Sequence, residues 1–405
     1  MAISAEAKKA IKIGSLCSVS YLAVYIARNI LGVLTPQMIL GTTFTTENIG
    51  TLSSVFFITY AIGQLINGII GDRIKAKYMI SIGLFLAGIF NFTFALFDDT
   101  FTVPYISYLL MGFALSMIYG PMTKVVAENN SLIYATRCSV GYNFASLFGS
   151  PLAGVLAALF LWHVVFYISG GALIIMGVLA FVLFTLFEKQ GLVKYNQFKK
   201  AEKNGGGIKV LMEREIIRFT LISVLTGIIR TTVVFWLPTY FAQHLGFSAS
   251  TSAVLFTVST LIGSASAFVS IFLYEKMGYK MNLSLVLWFA LSAIGFLGAF
   301  LFENAAWNVG FIIVAIFAAK CAASMLWSRY CPSLSDTGLV SSATGFLDFM
   351  SYMAASISSS LFANAVADIG WSTLVFVWFL LMVAGLLVMV PFKKFLKGRN
   401  KGENA

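Results

Sequence analysis

Long apolar runs of helix length alternate along this chain with short turns that hold nearly all of its charge. A helix needs about 20 apolar residues to cross a bilayer, and twelve segments meet that length: 13–34, 49–70, 78–97, 104–125, 138–161, 163–187, 216–241, 250–275, 281–302, 307–330, 338–366 and 370–392. Within 138–187 only Trp162-His163 punctuates the apolar run. The pattern predicts an all-α membrane protein of twelve transmembrane helices. Between the sixth and seventh lies a polar stretch, 188–215, with Lys199, Lys200, Glu202 and Lys203 ahead of Gly205-Gly206-Gly207. Such a composition cannot bury a core and predicts a linker. The expected organisation is therefore a six-helix bundle over 1–187, a linker over 188–215, and a second six-helix bundle over 216–405 that ends in a short tail.

Charge orients these elements. Lys75, Lys77, Lys124, Arg137, the linker, Lys276, Lys280 and Arg329 share one set of loops with Lys8, Lys9, Lys12 and the basic C-terminal tail. The opposite loops hold only Glu47, Asp98, Asp99, Glu303 and Asp368. Basic loops stay on the cytoplasmic side, so both termini are expected in the cytoplasm, in a protein of the cell membrane. The lysines before the first apolar run precede no small-residue cleavage site, which predicts an uncleaved first helix.

Composition agrees, with 59% hydrophobic and 11% charged residues, where a soluble domain carries about 25% charged. The net charge of +11 is spread over loops rather than gathered in a patch, so it reads as topology and excludes nucleic acid as a partner. Cys17, Cys138, Cys321 and Cys331 lie in or beside apolar runs without metal-ligand spacing, and His163 and His244 fall in turns. No metal, cofactor or enzyme active site is expected, since no nucleophile–base pair, ligand set or nucleotide loop is present. The expected partners are the lipid bilayer and a small anionic substrate, with inorganic phosphate or protons as the coupled species, and a monomer as the working unit.

A few charges break the apolar pattern. Arg28 lies near the middle of the first segment, and Arg230 lies 202 residues later in the seventh; each is followed by a proline, Pro36 or Pro238, after seven intervening residues. Each is roughly 15 residues into its segment, about 22 Å at helical rise and so near mid-bilayer. A charge at that depth is costly and usually faces an aqueous cavity or a partner. Two arginines at equal depth suggest a central anion site, because a guanidinium stays charged and offers a planar fork to phosphate or carboxylate. Structural pairing with an acid or with backbone carbonyls is the competing reading. Tyr21, Tyr25 and Arg28 share one helical face, so the tyrosines are candidates to lend hydroxyls. Lys320 and Asp348 lie within the tenth and eleventh segments. They could neutralise one another, Asp348 could carry a coupling proton, or Lys320 could add a third cation. Asn143 could hydrogen-bond substrate or a neighbouring helix.

Repeats and motifs extend this reading. Asp72 after the second segment matches Glu275 at an offset of 203, and Gly141 matches Gly345 at 204. Gly68-Ile-Ile-Gly71-Asp72-Arg73-Ile-Lys75-Ala-Lys77 resembles the signature loop of the major facilitator superfamily. That resemblance implies two six-helix bundles with a midplane site, and a gating role for Asp72, Arg73 and Lys124. Tyr21, Tyr25 and Arg28, Tyr119-Gly120-Pro121, Arg230 with Phe235-Trp236-Leu237-Pro238-Thr239-Tyr240, Ser342-Ala343-Thr344-Gly345-Phe346 with Tyr352 and Ser356, and Ile369-Gly370-Trp371 resemble the organophosphate:inorganic phosphate antiporter family. Its paired arginines clamp phosphate. The resemblance implies exchange of a phosphate ester for phosphate through Arg28 and Arg230, with Tyr21, Tyr25 and Tyr352 beside them. Departures from the family are Gln64 in place of a lysine, where it is a substrate-binding candidate, Gly227 in place of a tyrosine, Phe235 in place of an acid, and no histidine between Gly141 and Pro151. A carboxylate therefore fits as well as a phosphate ester, and the alternative is a proton-coupled symporter for a sugar acid or other organic carboxylate.

Overall fold

In a chain whose spans offer water nowhere to reach the backbone, each peptide group has to find its partner inside its own helix. The computed structural model describes residues 4–71, 74–97, 100–195, 208–334 and 340–389, and these are helical with short connections. The first six long helices are α1 (Ala5–Gly41), α2 (Thr46–Gly71), α3 (Ala76–Leu96), α4 (Thr102–Asn129), α5 (Leu132–Leu159) and α6 (Trp162–Lys189). Then follow α7 (Ile216–Gln243), α8 (Ala249–Lys276), α9 (Met281–Leu301) and α10 (Ala305–Tyr330). The last helical run, Val340–Met389, is broken at Gly370 (φ 74°, ψ 168°), which separates α11 (340–369) from α12 (371–389). The twelve elements follow the order read from the apolar pattern.

Two differences from that pattern have local causes. Helix α1 is 37 residues long, about 55 Å at helical rise, and so runs well past 13–34 at both ends. Lys8, Lys9 and Lys12 do not stop it; its start is set by Ser4, whose hydroxyl accepts the Ala7 amide at 3.1 Å. Pro36 remains inside the helix. The second difference lies in α7, where Ile228–Val233 forms a π-helical turn around Arg230. Leu326–Tyr330 at the end of α10 is π-helical too. Extra residues in a turn re-aim the side chains that flank them and recur at functional positions.

The chain divides into two compact units, and three long helices change unit part-way. One comprises Met1–Asn204, Thr231–Ser264 and Tyr352–Asp368; the other comprises Gly205–Arg230, Ala265–Ser351 and Ile369–Ala405. Two of these crossings fall at irregularities, in the π turn of α7 and between the two halves of α8, Ala249–Ser264 and Ser266–Lys276. In the first unit α1 packs on α5, α3 on α4 and α6, and α2 on α4. In the second, α9 packs on α10, and Trp378 meets Phe296 in its core with ring centroids 5.7 Å apart.

Among the described residues of α11 and α12, Gly370 is the one glycine with positive φ, a conformation that a side chain would strain. Replacing it with Ala should cost about 1–3 kcal/mol and lower the melting temperature of purified protein. Gly345→Ala, at a helical glycine whose added Cβ meets nothing within 4 Å, should leave melting unchanged or raise it slightly. Equal melting of the two variants would contradict the assignment of the break to Gly370.

Candidate functional site

The first unit holds Arg28 among tyrosines. Its half-buried guanidinium lies over the rings of Tyr352, Tyr60 and Tyr25 at 4.7, 5.0 and 5.7 Å from their centroids. Tyr21, one turn before Tyr25, extends the cluster: its ring lies 5.0 Å from Tyr25, 5.5 Å from Tyr119 and 6.1 Å from Tyr142. Four helices of this unit and the 352–368 part of α11 thus gather six tyrosines into one cluster, and three of their rings face the cation. Among the described residues no carboxylate pairs with Arg28. A cation–π contact stabilises by about 0.5–2 kcal/mol, so the ring faces offset part of the cost of burying the charge. They do not neutralise it, and the guanidinium fork keeps its capacity to bind an anion.

A hydroxyl seam closes the same unit. Ser53 bonds Ser359, the Ser356 hydroxyl donates to the Ser54 carbonyl at 2.8 Å, and the Trp236 indole donates to the Ser359 hydroxyl at 3.2 Å. Thr232 donates to the Ala355 carbonyl at 3.0 Å. This joins α2 and the second half of α7 to residues 352–368.

In the second unit Arg230 is partly occupied. Its Nη2 lies 3.4 Å from Asp348 Oδ1 and 3.3 Å from Ser351 Oγ, and its guanidinium lies 5.6 Å from the Trp327 ring centroid. Asp348, offered by the sequence as a partner for Lys320, thus lies against Arg230 instead. With side chains 25% and 33% exposed and closest atoms 3.4 Å apart, the pair is a loose one. Lys320, half-buried on α10, is close enough to feel the Arg230 charge and has no acidic partner among the described residues. Two cations against one carboxylate leave a positive balance. Gly227 explains how Ser351 arrives here: a Cβ on it would fall on the Ser351 side chain, 3.0 Å from its Cβ and 3.1 Å from its Cα. The tyrosine of the resembling family has no room at that position without separating α7 from α11.

The remaining sequence candidates are scattered. Gln64 is half-buried in α2 with no hydrogen-bond partner among the described residues. The Asn143 side chain, Asp72 and Arg73 lie outside the described residues. Lys124 donates to the Gly71 carbonyl at 3.0 Å, a cation on the C-terminal end of α2 immediately before the signature loop. In that loop Lys75 and Lys77 hold Glu188 at 2.7 and 2.6 Å. Hydrogen bonding and charge from Glu188 raise the exposed Lys75 ammonium above its ordinary pKa. Sequence reasoning passed over Glu188, though a lone acid at the end of α6 opposite a basic loop was a usable signal. It also passed over Tyr60, Tyr142, Trp327 and Ser351. Tyr60 lies one turn from Gln64, and that shared face was its only signal.

Comparison with known proteins gives this arrangement a context. The chain is 24% identical to the hexuronate transporter of Bacillus subtilis over 412 aligned positions, covering 94% of each. It is 24% identical to a phosphoglycerate transporter protein of Salmonella typhimurium, covering 92% of this chain and 85% of the relative. A solved structure of the xylose transporter from E. coli, in a partially occluded inward-open conformation, superposes with a TM-score of 0.73 at 13% identity over 95% of this chain and 98% of that one; that likeness is one of fold. Residues 17–359 match the profile of the Major Facilitator Superfamily. With most of its length inside that match, the chain belongs to the Major Facilitator Superfamily and is a multi-pass membrane transporter rather than an enzyme.

Proposed function

We propose that the chain carries a small organic anion by alternating access, with a phosphate ester exchanged for inorganic phosphate as the first reading. The observation that carries it is Arg28: a cation within a membrane span, ringed by tyrosines and unmatched by any acid among the described residues. Arg230 and Lys320 supply further positive charge to the substrate's path, and Tyr21, Tyr25 and Tyr352 supply hydroxyls. The relatives support an anion, since a hexuronate bears a carboxylate and a phosphoglycerate bears both a phosphate and a carboxylate. In this reading residues 1–187 and 216–405 are the two transport halves, 188–215 is their cytoplasmic tether, Asp72, Arg73 and Lys124 gate, and a monomer in the cell membrane with both termini cytoplasmic is sufficient.

A second reading, proton-coupled symport of a sugar acid or other carboxylate, is favoured by one contact. Asp348 lies on Arg230, so protonating the acid would free the guanidinium for substrate.

Proteoliposomes separate the two. Phosphate loaded inside should accelerate uptake of labelled phosphate or phosphate ester, and Arg28→Lys or Arg230→Lys should abolish it, because losing a charge-assisted fork costs about 1.5–3 kcal/mol per contact. Uptake that ignores internal phosphate, follows a proton gradient and is lost in Asp348→Asn establishes the symporter instead.

Alternating access has its own test in the hydroxyl seam. Ser54 and Ser356 hydroxyls lie 3.2 Å apart, and the pair S54C/S356C should form a disulfide that stops transport until reductant restores it. Undiminished transport in fully cross-linked protein would contradict a requirement for the seam to part.

A further inference from the structure

At their N-terminal ends α1 and α5 enclose a groove of about 330 Å³ that no candidate transport residue lines. Ala7, Ala10 and Gly14 form one stripe on α1, and Tyr134, Arg137 and Gly141 form another on α5, each spaced as one helical face. Polar groups in the walls are already satisfied. The Ser18 hydroxyl donates to the Gly14 carbonyl at 2.8 Å, Ser15 donates to the Lys12 carbonyl at 3.3 Å, and the Cys138 thiol donates to the Ala10 carbonyl at 3.4 Å. The interior therefore behaves as apolar surface.

The mouth has the opposite character. Arg137 is exposed, stacks over the Tyr134 ring at 5.4 Å, and has no acidic partner among the described residues. Lys8 and Lys12 are exposed on the same turns of α1, with Glu6 as the one acid beside them. An α1 of about 55 Å exceeds the hydrocarbon core of about 30 Å, so this lysine-bearing end reaches the headgroup layer while the groove runs inward from it.

A ligand that satisfies both parts must be amphiphilic. A free anion would leave the apolar walls uncovered, and a neutral lipid would leave Arg137 without a counter-charge. We propose that the groove binds an anionic phospholipid, with its phosphate at Arg137 and at Lys8, on the face of Ile11 and Ser15 beside it, and one acyl chain between α1 and α5. A basic site between helix ends at headgroup level is suited to such lipids, each cation adding about fivefold in affinity. The inference rests on the membrane-spanning fold and is independent of which anion is carried.

Native mass spectrometry of the full chain in detergent tests it, with phosphatidylglycerol and phosphatidylcholine of identical acyl chains as probes. Phosphatidylglycerol should be retained at least fivefold better, and Arg137→Gln should lower its retention about fivefold. Lys280→Gln, a charge removed elsewhere, should change nothing. Ala7→Phe, which fills the groove, should lower retention of both lipids. Should Arg137→Gln fail to fold, Lys8→Gln carries the same expectation. Equal retention of the two lipids would overturn the proposal. So would competition by glycerol phosphate as effective as by phosphatidylglycerol, or loss of a second copy of the chain, rather than of lipid, on removing Arg137.

Discussion

A guanidinium within a bilayer span has to be stabilised without being cancelled, and this molecule is arranged around that requirement. Burying an isolated charge in hydrocarbon costs several kcal/mol or more. A carboxylate at contact distance would lower that cost but would also take the place of an anionic substrate. Around Arg28 the chain uses ring faces instead, three of them within 6 Å of the guanidinium carbon. Quadrupoles attract the cation without neutralising its charge.

The second unit meets the same requirement differently. Arg230 has a carboxylate, but a loose one, with its closest atoms 3.4 Å apart and both side chains partly exposed. Ser351 shares the guanidinium, and the close packing of Gly227 on Ser351 places it there. The π turn that contains Arg230 marks where α7 passes from one compact unit to the other. A loose internal counter-ion limits the cost of burying the Arg230 charge without fixing the guanidinium in one arrangement.

The helical scaffold was legible because bilayer thickness imposes one length on every span, and the apolar pattern reports that length directly. Arg28, Tyr21 and Tyr25 were legible for a similar reason, as a charge in an apolar helix and its neighbours on one face. Tyr352 was named only through the family resemblance; Tyr60 reaches the same cation from α2 and Tyr142 meets Tyr21 from α5, and nothing local in those two segments announces it. Among 16 tyrosines only tertiary packing selects them. The partner of Asp348 was illegible for the same reason: Lys320 and Arg230 were both plausible by depth, and the approach of α7 to α11 at Gly227 decides between them. The extension of α1 beyond its apolar core was hidden because lysines end hydrophobicity without ending a helix.

The central claim is that Arg28 remains available to an anion within its tyrosine surround. Thermal melting of the purified protein against a panel of phosphate esters, inorganic phosphate and sugar acids reads this directly, because a ligand that binds only the folded state raises its stability. At a concentration 100 times its dissociation constant such a ligand should stabilise the wild type by about 2.7 kcal/mol, and Arg28→Gln should melt at one temperature with or without it. A ligand-induced shift of equal size in Arg28→Gln would contradict the account.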